Sequence, residues 1–222
     1  MTPNILLVGA TGLVGQGVLK VLLQDAGLPQ VTVLVRRPLP AAPSRVRVMQ
    51  IPEFSTAALE RLDLRGFDAC LYCAGPLPLL LSEAAYREAT VGVLERVATA
   101  YARANPAGYL IYVSGAAADA GSRWMPLRVK GQAEAVPGSA GLASTCLRPG
   151  GIRPTQGECS PHRFRRVIYT LGAPALALAQ KLLPGSFTTT EAVGRCMLAL
   201  VRSRPPHPPI VENRQIAEIA SR

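Results

Sequence analysis

The chain alternates between short, uninterrupted apolar runs and longer stretches in which apolar residues recur every three or four positions. Asn4-Ile-Leu-Leu-Val8 is continuous and ends at Gly9, the pattern of a parallel strand buried on both faces. From Gly12 to Ala26 the spacing of Leu13, Gly17 and Val21 predicts a helix, which Gly27 stops. The same reading predicts strands at Gln30–Val35, Val46–Gln50, Ala69–Cys73, Tyr109–Val113 and Ser144–Arg148. It places helices at Thr56–Leu64, Ser82–Ala104 and Arg123–Ala135, with Ser82 as an N-cap. In the long helix Val91, Leu94, Ala98 and Tyr101 share the apolar side.

Strands and helices in this alternation imply βαβ units with right-handed crossovers. The predicted fold class is α/β, a doubly wound Rossmann-like parallel sheet with helices on both faces. After Gly150 the alternation fails. Residues 151–188 carry Pro154, Pro161, Pro174 and Pro184 around the apolar stretch Val167–Leu183, and read as a small C-terminal cap within one domain spanning 1–222. A helix at about Thr190–Arg202, a short strand around Ile210 and a polar tail complete the expectation.

Composition adds less. Half of the 222 residues are apolar and 17% are charged, which excludes a disordered or fibrous chain. Every long apolar run is broken before the ~18 residues a membrane span requires. The chain opens on a strand-like run with no basic leader, which predicts a cytoplasmic protein. The net charge of +10 comes mostly from Arg, with only Lys20, Lys130 and Lys181 as lysines. Basic residues are scattered, the densest group being Arg163, Arg165 and Arg166. That distribution predicts a solvated basic surface and not a nucleic-acid face. The five cysteines lack framework spacing. Cys70 and Cys73 lie in a predicted strand, where residues three apart point to opposite faces, so neither a metal site nor a redox pair is expected. His162 and His207 lack acidic partners at ligand spacing, and no metal ligand set is expected.

The segment that carries chemistry is Gly9-Ala-Thr-Gly-Leu-Val-Gly15. It is a G-x-x-G-x-x-G turn between the first strand and the first helix. There the backbone of Gly9, Thr11, Gly12, Leu13, Val14 and Gly15 can approach a pyrophosphate, whose charge the helix N-terminus favours. At the end of the second strand an acidic residue normally holds the ribose hydroxyls of NAD(H). This chain has Arg36 and Arg37 there, whose forked guanidinium groups suit a 2′-phosphate, so NADP(H) is preferred over NAD(H). The alternative is that one Arg is a surface residue and the other stacks on adenine.

With these residues in place, the chain resembles the short-chain dehydrogenase/reductase superfamily over nearly its whole length. It is most similar to the atypical or extended branch, among the NmrA-like and Tat-interactive-protein-like oxidoreductases. The glycine loop is shared superfamily-wide. Val31-Thr-Val-Leu-Val-Arg-Arg37, Tyr112-Val-Ser-Gly-Ala-Ala-Ala-Asp119, Arg128-Val-Lys-Gly-Gln-Ala-Glu134, Leu147-Arg-Pro-Gly150 and Val211-Glu-Asn-Arg214 carry the rest. The resemblance implies that Cys73, Ala74 and Gly75 run beside the cofactor's ribose and pyrophosphate. It also implies that Pro149, Gly150, Gly151 and Ile152 pass the nicotinamide. Ser114 takes the place of the catalytic serine, and Lys130 that of the lysine holding the nicotinamide ribose.

One position departs. The family's acid/base pair is Tyr-x-x-x-Lys, one helical turn apart, and four residues before Lys130 stands Pro126. Proline has no proton to give, and Tyr169 is the next tyrosine after Tyr112. Two functional readings stay open: an NADPH-dependent oxidoreductase acting on a small apolar substrate under the cap, and a catalytically silent dinucleotide-binding redox sensor or partner-docking protein. The basic edge 163–166 followed by the apolar run to Leu183 raises a third, a peripheral membrane surface, against which Pro174 and the needs of a cap both count. A monomer or weak homodimer is expected.

Overall fold

The computed structural model describes residues 2–28, 30–39, 42–78, 81–158, 184–203 and 206–221. Seven parallel strands form the main sheet: β1 (Ile5–Val8), β2 (Val31–Val35), β3 (Val46–Gln50), β4 (Ala69–Tyr72), β5 (Tyr109–Val113), β6 (Ala143–Arg148) and β9 (Ile210–Glu212). Their spatial order is β3-β2-β1-β4-β5-β6-β9, which confirms the doubly wound arrangement. The order reverses between β1 and β4, where open α/β sheets bind their ligands.

The central strands β1, β2, β4 and β5 are buried at every position, as their unbroken apolar runs demand. Alternate residues feed two cores. Ile5, Leu7, Val31 and Val33 face α1 (Leu13–Gln24), α7 (Thr190–Ser203) and α8 (Asn213–Ala220). Leu6, Val8, Leu34 and Tyr72 face α2 (Thr56–Glu60), α4 (Val93–Ala104), α5 (Met125–Glu134) and the short α6 (Val136–Ser139). Cys70 lies in the second core and Cys73 packs against the first, so the two thiols do face apart. Gly17 and Gly194 let α1 and α7 cross closely: a Cβ on Gly17 would strike Thr190, and one on Gly194 would come within 2.9 Å of Val21.

Three differences from the sequence reading matter. The long helix contains a π turn (Glu88–Gly92) between α3 (Glu83–Arg87) and α4, although Ser82 caps it as expected through the Ala85 amide. At the start of the expected cap, Gly151–Arg153 forms a strand, β7. It pairs in parallel with β8 (Phe187–Thr189) in a separate two-stranded ribbon. The polar tail is a helix, α8, opened by a capping box in which Glu212 and Gln215 each bond the other's backbone amide. Most of the expected cap, together with Tyr169, His162 and Arg163–Arg166, lies outside the described residues. Among the described residues no helix is long and apolar enough to cross a membrane.

Candidate functional site

The turn after β1 is built by close backbone approach. Gly9 has φ +89°, and a Cβ there would lie 2.6 Å from the Ala74 amide nitrogen at the end of β4. A side chain is excluded on both counts. A Cβ on Gly15 would collide with the Gly9 carbonyl, so α1 is seated directly on the turn. Gly12 is the N-cap, in an extended conformation, and its amide donates to the Gly9 carbonyl at 3.0 Å. No side chain caps α1 and no acid stands in its first turn. The mouth of the helix therefore presents its positive end without an internal counter-charge.

Beside it, Arg36 and Arg37, both exposed, follow directly on the last residue of β2. Arg36 spreads its guanidinium over the Phe54 ring, 6.0 Å from the centroid. On the other side Cys73 donates its amide to the Val8 carbonyl, so residues 73–75 run directly past the glycine turn. The Cys73 thiol is pushed up to about 12 by burial, which leaves it a protonated, unreactive neighbour.

Lys130, on α5, reaches into the same end of the sheet. Its ammonium donates to the Tyr112 hydroxyl at 3.1 Å and to the Val113 carbonyl at 3.3 Å. Burial lowers its pKa to about 8, against the opposing pull of the Glu134 charge. Ser114 follows Val113 and donates its amide to the Leu147 carbonyl at 2.8 Å; among the described residues its buried hydroxyl has no hydrogen-bond partner. Such an orphaned group is rare in folded proteins. Gly131, next to Lys130, allows α5 to press on the Asp119–Ala120 backbone. Pro126 lies within the first turn of α5, where its missing N–H costs nothing. Trp124, just before the helix, is 75% exposed.

Residues 149–152 are fixed from behind. Asn213 accepts the Gly150 amide and donates to the carbonyls of Gly185 and Phe187. Arg148 grips both carboxylate oxygens of Glu134, at 2.9 and 2.7 Å, and also reaches Glu212. The structure thus gathers Gly9–Gly15, Cys73–Gly75, Ser114, Lys130 and Pro149–Ile152 at the C-terminal ends of the strands, with Arg36 and Arg37 at one margin. Two contributors were not singled out from sequence. Asn213 gave a signal within the Glu-Asn segment, whereas Tyr112 was indistinguishable from a core strand residue. The larger described hollow, about 630 Å³ and lined by Thr2, Asp68, Tyr109 and Arg202 among others, opens at the opposite end of the sheet and holds none of these residues.

No family model matches the chain. A curated relative, leucinostatins biosynthesis cluster protein T of Purpureocillium lilacinum, is 32% identical over 114 residues, 50% of this chain and 42% of that protein. The chain therefore spans less than half the length of the curated relative it matches. Among solved structures, Bordetella bronchiseptica WbmF in complex with NAD+ superposes with a TM-score of 0.71 at 17% identity, covering 99% of this chain and 77% of that one. The ADP-L-glycero-D-manno-heptose-6-epimerase of Helicobacter pylori gives 0.69 at 15% identity, covering 99% and 82%. A short-chain dehydrogenase family protein from Francisella tularensis gives 0.68 at 12% identity, covering 98% and 100%. The chain has the Rossmann-like fold of these proteins.

Proposed function

We propose that this chain binds a nicotinamide dinucleotide, NADP(H) in preference to NAD(H), and is an oxidoreductase acting on a small apolar substrate. The observation that carries this reading is the mouth of α1. Its N-cap residue makes no side-chain cap, its first turn carries no acid, and the turn leading to it is packed so closely that Gly9 and Gly15 admit no Cβ. A pyrophosphate fits that cradle through the free amides of Leu13, Val14 and Gly15. Cys73–Gly75 and Pro149–Ile152 would flank the remainder, with Ser114 and Lys130 offering a hydroxyl and an ammonium to it. When bound, the dinucleotide supplies the hydride. Binding, orientation and proton supply fall to the chain.

Preference for the 2′-phosphate rests on Arg36 and Arg37. Titration calorimetry tests it. Arg36→Ala should weaken NADPH about tenfold or more, the scale of one lost charge-assisted hydrogen bond, while NADH changes less than about threefold. Equal losses for the two nucleotides would remove the proposed phosphate contact.

Pro126 favours a second reading, a dinucleotide-binding protein without turnover. That version keeps saturable NADPH binding and oxidises no cofactor with any carbonyl or enone offered. Both readings place the dinucleotide in the same cleft.

A further inference from the structure

The amine of Lys130 does more here than hold a neighbour in place. An ammonium has three N–H bonds. One goes to the Tyr112 hydroxyl and one to the Val113 carbonyl, and the third has no acceptor among the described residues. The nitrogen lies 3.8 Å from where a Gly75 Cβ would stand, so it faces open backbone at the end of β4.

Among the described residues the other proton donors are out of position. Pro126, one turn before Lys130, has none. Tyr112 is 1% exposed, its ring tilts against Tyr72 at a centroid distance of 5.9 Å, and burial raises its pKa well above the ordinary value. A phenol so enclosed does not meet a substrate. Ser114 contributes a hydroxyl that can hydrogen-bond an oxygen but does not ionise in the neutral range. From this geometry we infer that Lys130 is itself the general acid of the site, its third N–H supplying the proton that the missing tyrosine would have given. The inference rests on the dinucleotide reading above.

The step balances without a further reactant. With the dinucleotide bound, the reduced nicotinamide would supply a hydride to a carbonyl carbon and the carbonyl π pair would shift onto oxygen. Lys130 would give that oxygen its proton, directly or through one bridging hydroxyl. The products would be an alcohol, an oxidised dinucleotide and a neutral amine, which regains its proton from solvent.

Burial lowers the pKa of the amine, while Glu134 one turn along α5 and Cys146 on β6 oppose that, and the Tyr112 hydroxyl on β5 accepts one of its N–H bonds. Arg148 occupies both oxygens of Glu134 and so limits how strongly that carboxylate holds the ammonium. A buried amine near 8 is protonated at neutral pH yet releases its proton readily, which suits it to acid catalysis.

The first test needs no substrate. The chain has three lysines, so competitive acylation with acetic anhydride across pH 6–11, read by mass spectrometry, follows each amine separately. Lys130 should show a reactivity break near 8, against the ordinary 10.5. A break at 10 or above overturns the inference, as does an amine that stays unreactive at every pH and is therefore closed to substrate. The second test uses NADPH with 4-nitrobenzaldehyde and hexanal. Lys130→Arg keeps a cation but cannot release a proton; NADPH affinity, read separately by calorimetry, should fall far less than turnover, which should drop about 10²–10⁴. An arginine variant as fast as the wild type, or a wild type that binds NADPH and reduces neither aldehyde, overturns Lys130 as the acid. Absence of NADPH binding overturns the dinucleotide reading instead, and the acylation profile separates the two failures.

Discussion

Asn213 and Gly150 are 63 residues apart in sequence and joined by a 2.8 Å hydrogen bond, the Gly150 amide donating to the Asn213 side-chain oxygen. The other end of the same amide group donates to Gly185 and Phe187. One side chain at the start of α8 therefore holds the strand end that passes the proposed cofactor cleft and the strand that returns beside it.

Asn213→Ala would strand one backbone donor and two carbonyls in a partly buried place. Each unsatisfied group costs about 1–3 kcal/mol, less where water can reach it. The expected outcome is a loss of about 2 kcal/mol in urea unfolding, with NADPH affinity reduced as residues 149–152 loosen. Unchanged stability would show that the three contacts contribute nothing net.

The glycine turn separates two kinds of glycine. Gly9→Ala forces a side chain into the left-handed region and into the Ala74 backbone, and should cost about 1–3 kcal/mol from the backbone alone while abolishing dinucleotide binding. At Gly12 a Cβ would meet the Gly9 carbonyl at 3.4 Å, ordinary contact. Gly12→Ala should leave a folded protein with a smaller stability loss, and paired denaturation curves of the two variants decide the matter.

Glu158 links pH to stability. Its side chain is fully buried, which works to raise its pKa. The amides of Thr155 and Gln156, both at 2.9 Å, and Lys20 at 4.0 Å outweigh that and hold it below the ordinary 4.5. A carboxylate depressed in the folded state stabilises above its unfolded value, and that contribution is lost as pH falls through the folded one. Thermal melts from pH 7 to 3 should fall steeply at the acid end in the wild type. Glu158→Gln should flatten that limb and lower the plateau. An unchanged acid limb would exclude Glu158 as its source.

Arg148 and Glu134 should tune Lys130 in opposite directions. Glu134→Gln removes the negative charge beside the amine, so the acylation break should move below 8. Arg148→Met frees that charge to act on the ammonium, and the break should move up. Shifts of the same sign in both variants would exclude this electrostatic link.

Much of the architecture is legible in the sequence because the central strands are buried on both faces, and burial of that kind writes itself as unbroken apolar runs. Ser82 likewise announces its helix. The π turn left no mark: Glu88-Ala-Thr-Val-Gly92 fits an ordinary helix equally well, and only its packing distinguishes it. Helix α8 hid behind its composition, since within it only Asn213 and Ile216 are fully buried, although Glu212 and Gln215 spelled its capping box. At the site, the glycine turn was readable from spacing and local context, whereas Lys130 stood out only through the family resemblance. The meeting of Lys130 with Tyr112, from different elements, depends on how α5 lies across the sheet, and spacing along the chain carries no such information.

Strands β7 and β8 run side by side in the same direction, Gly151 opposite Phe187 and Arg153 opposite Thr189. A parallel pair cannot be closed by a tight hairpin turn. Its ladder therefore joins residues distant in sequence, and the ribbon is expected to form late in folding, after the more local strand pairs of the main sheet.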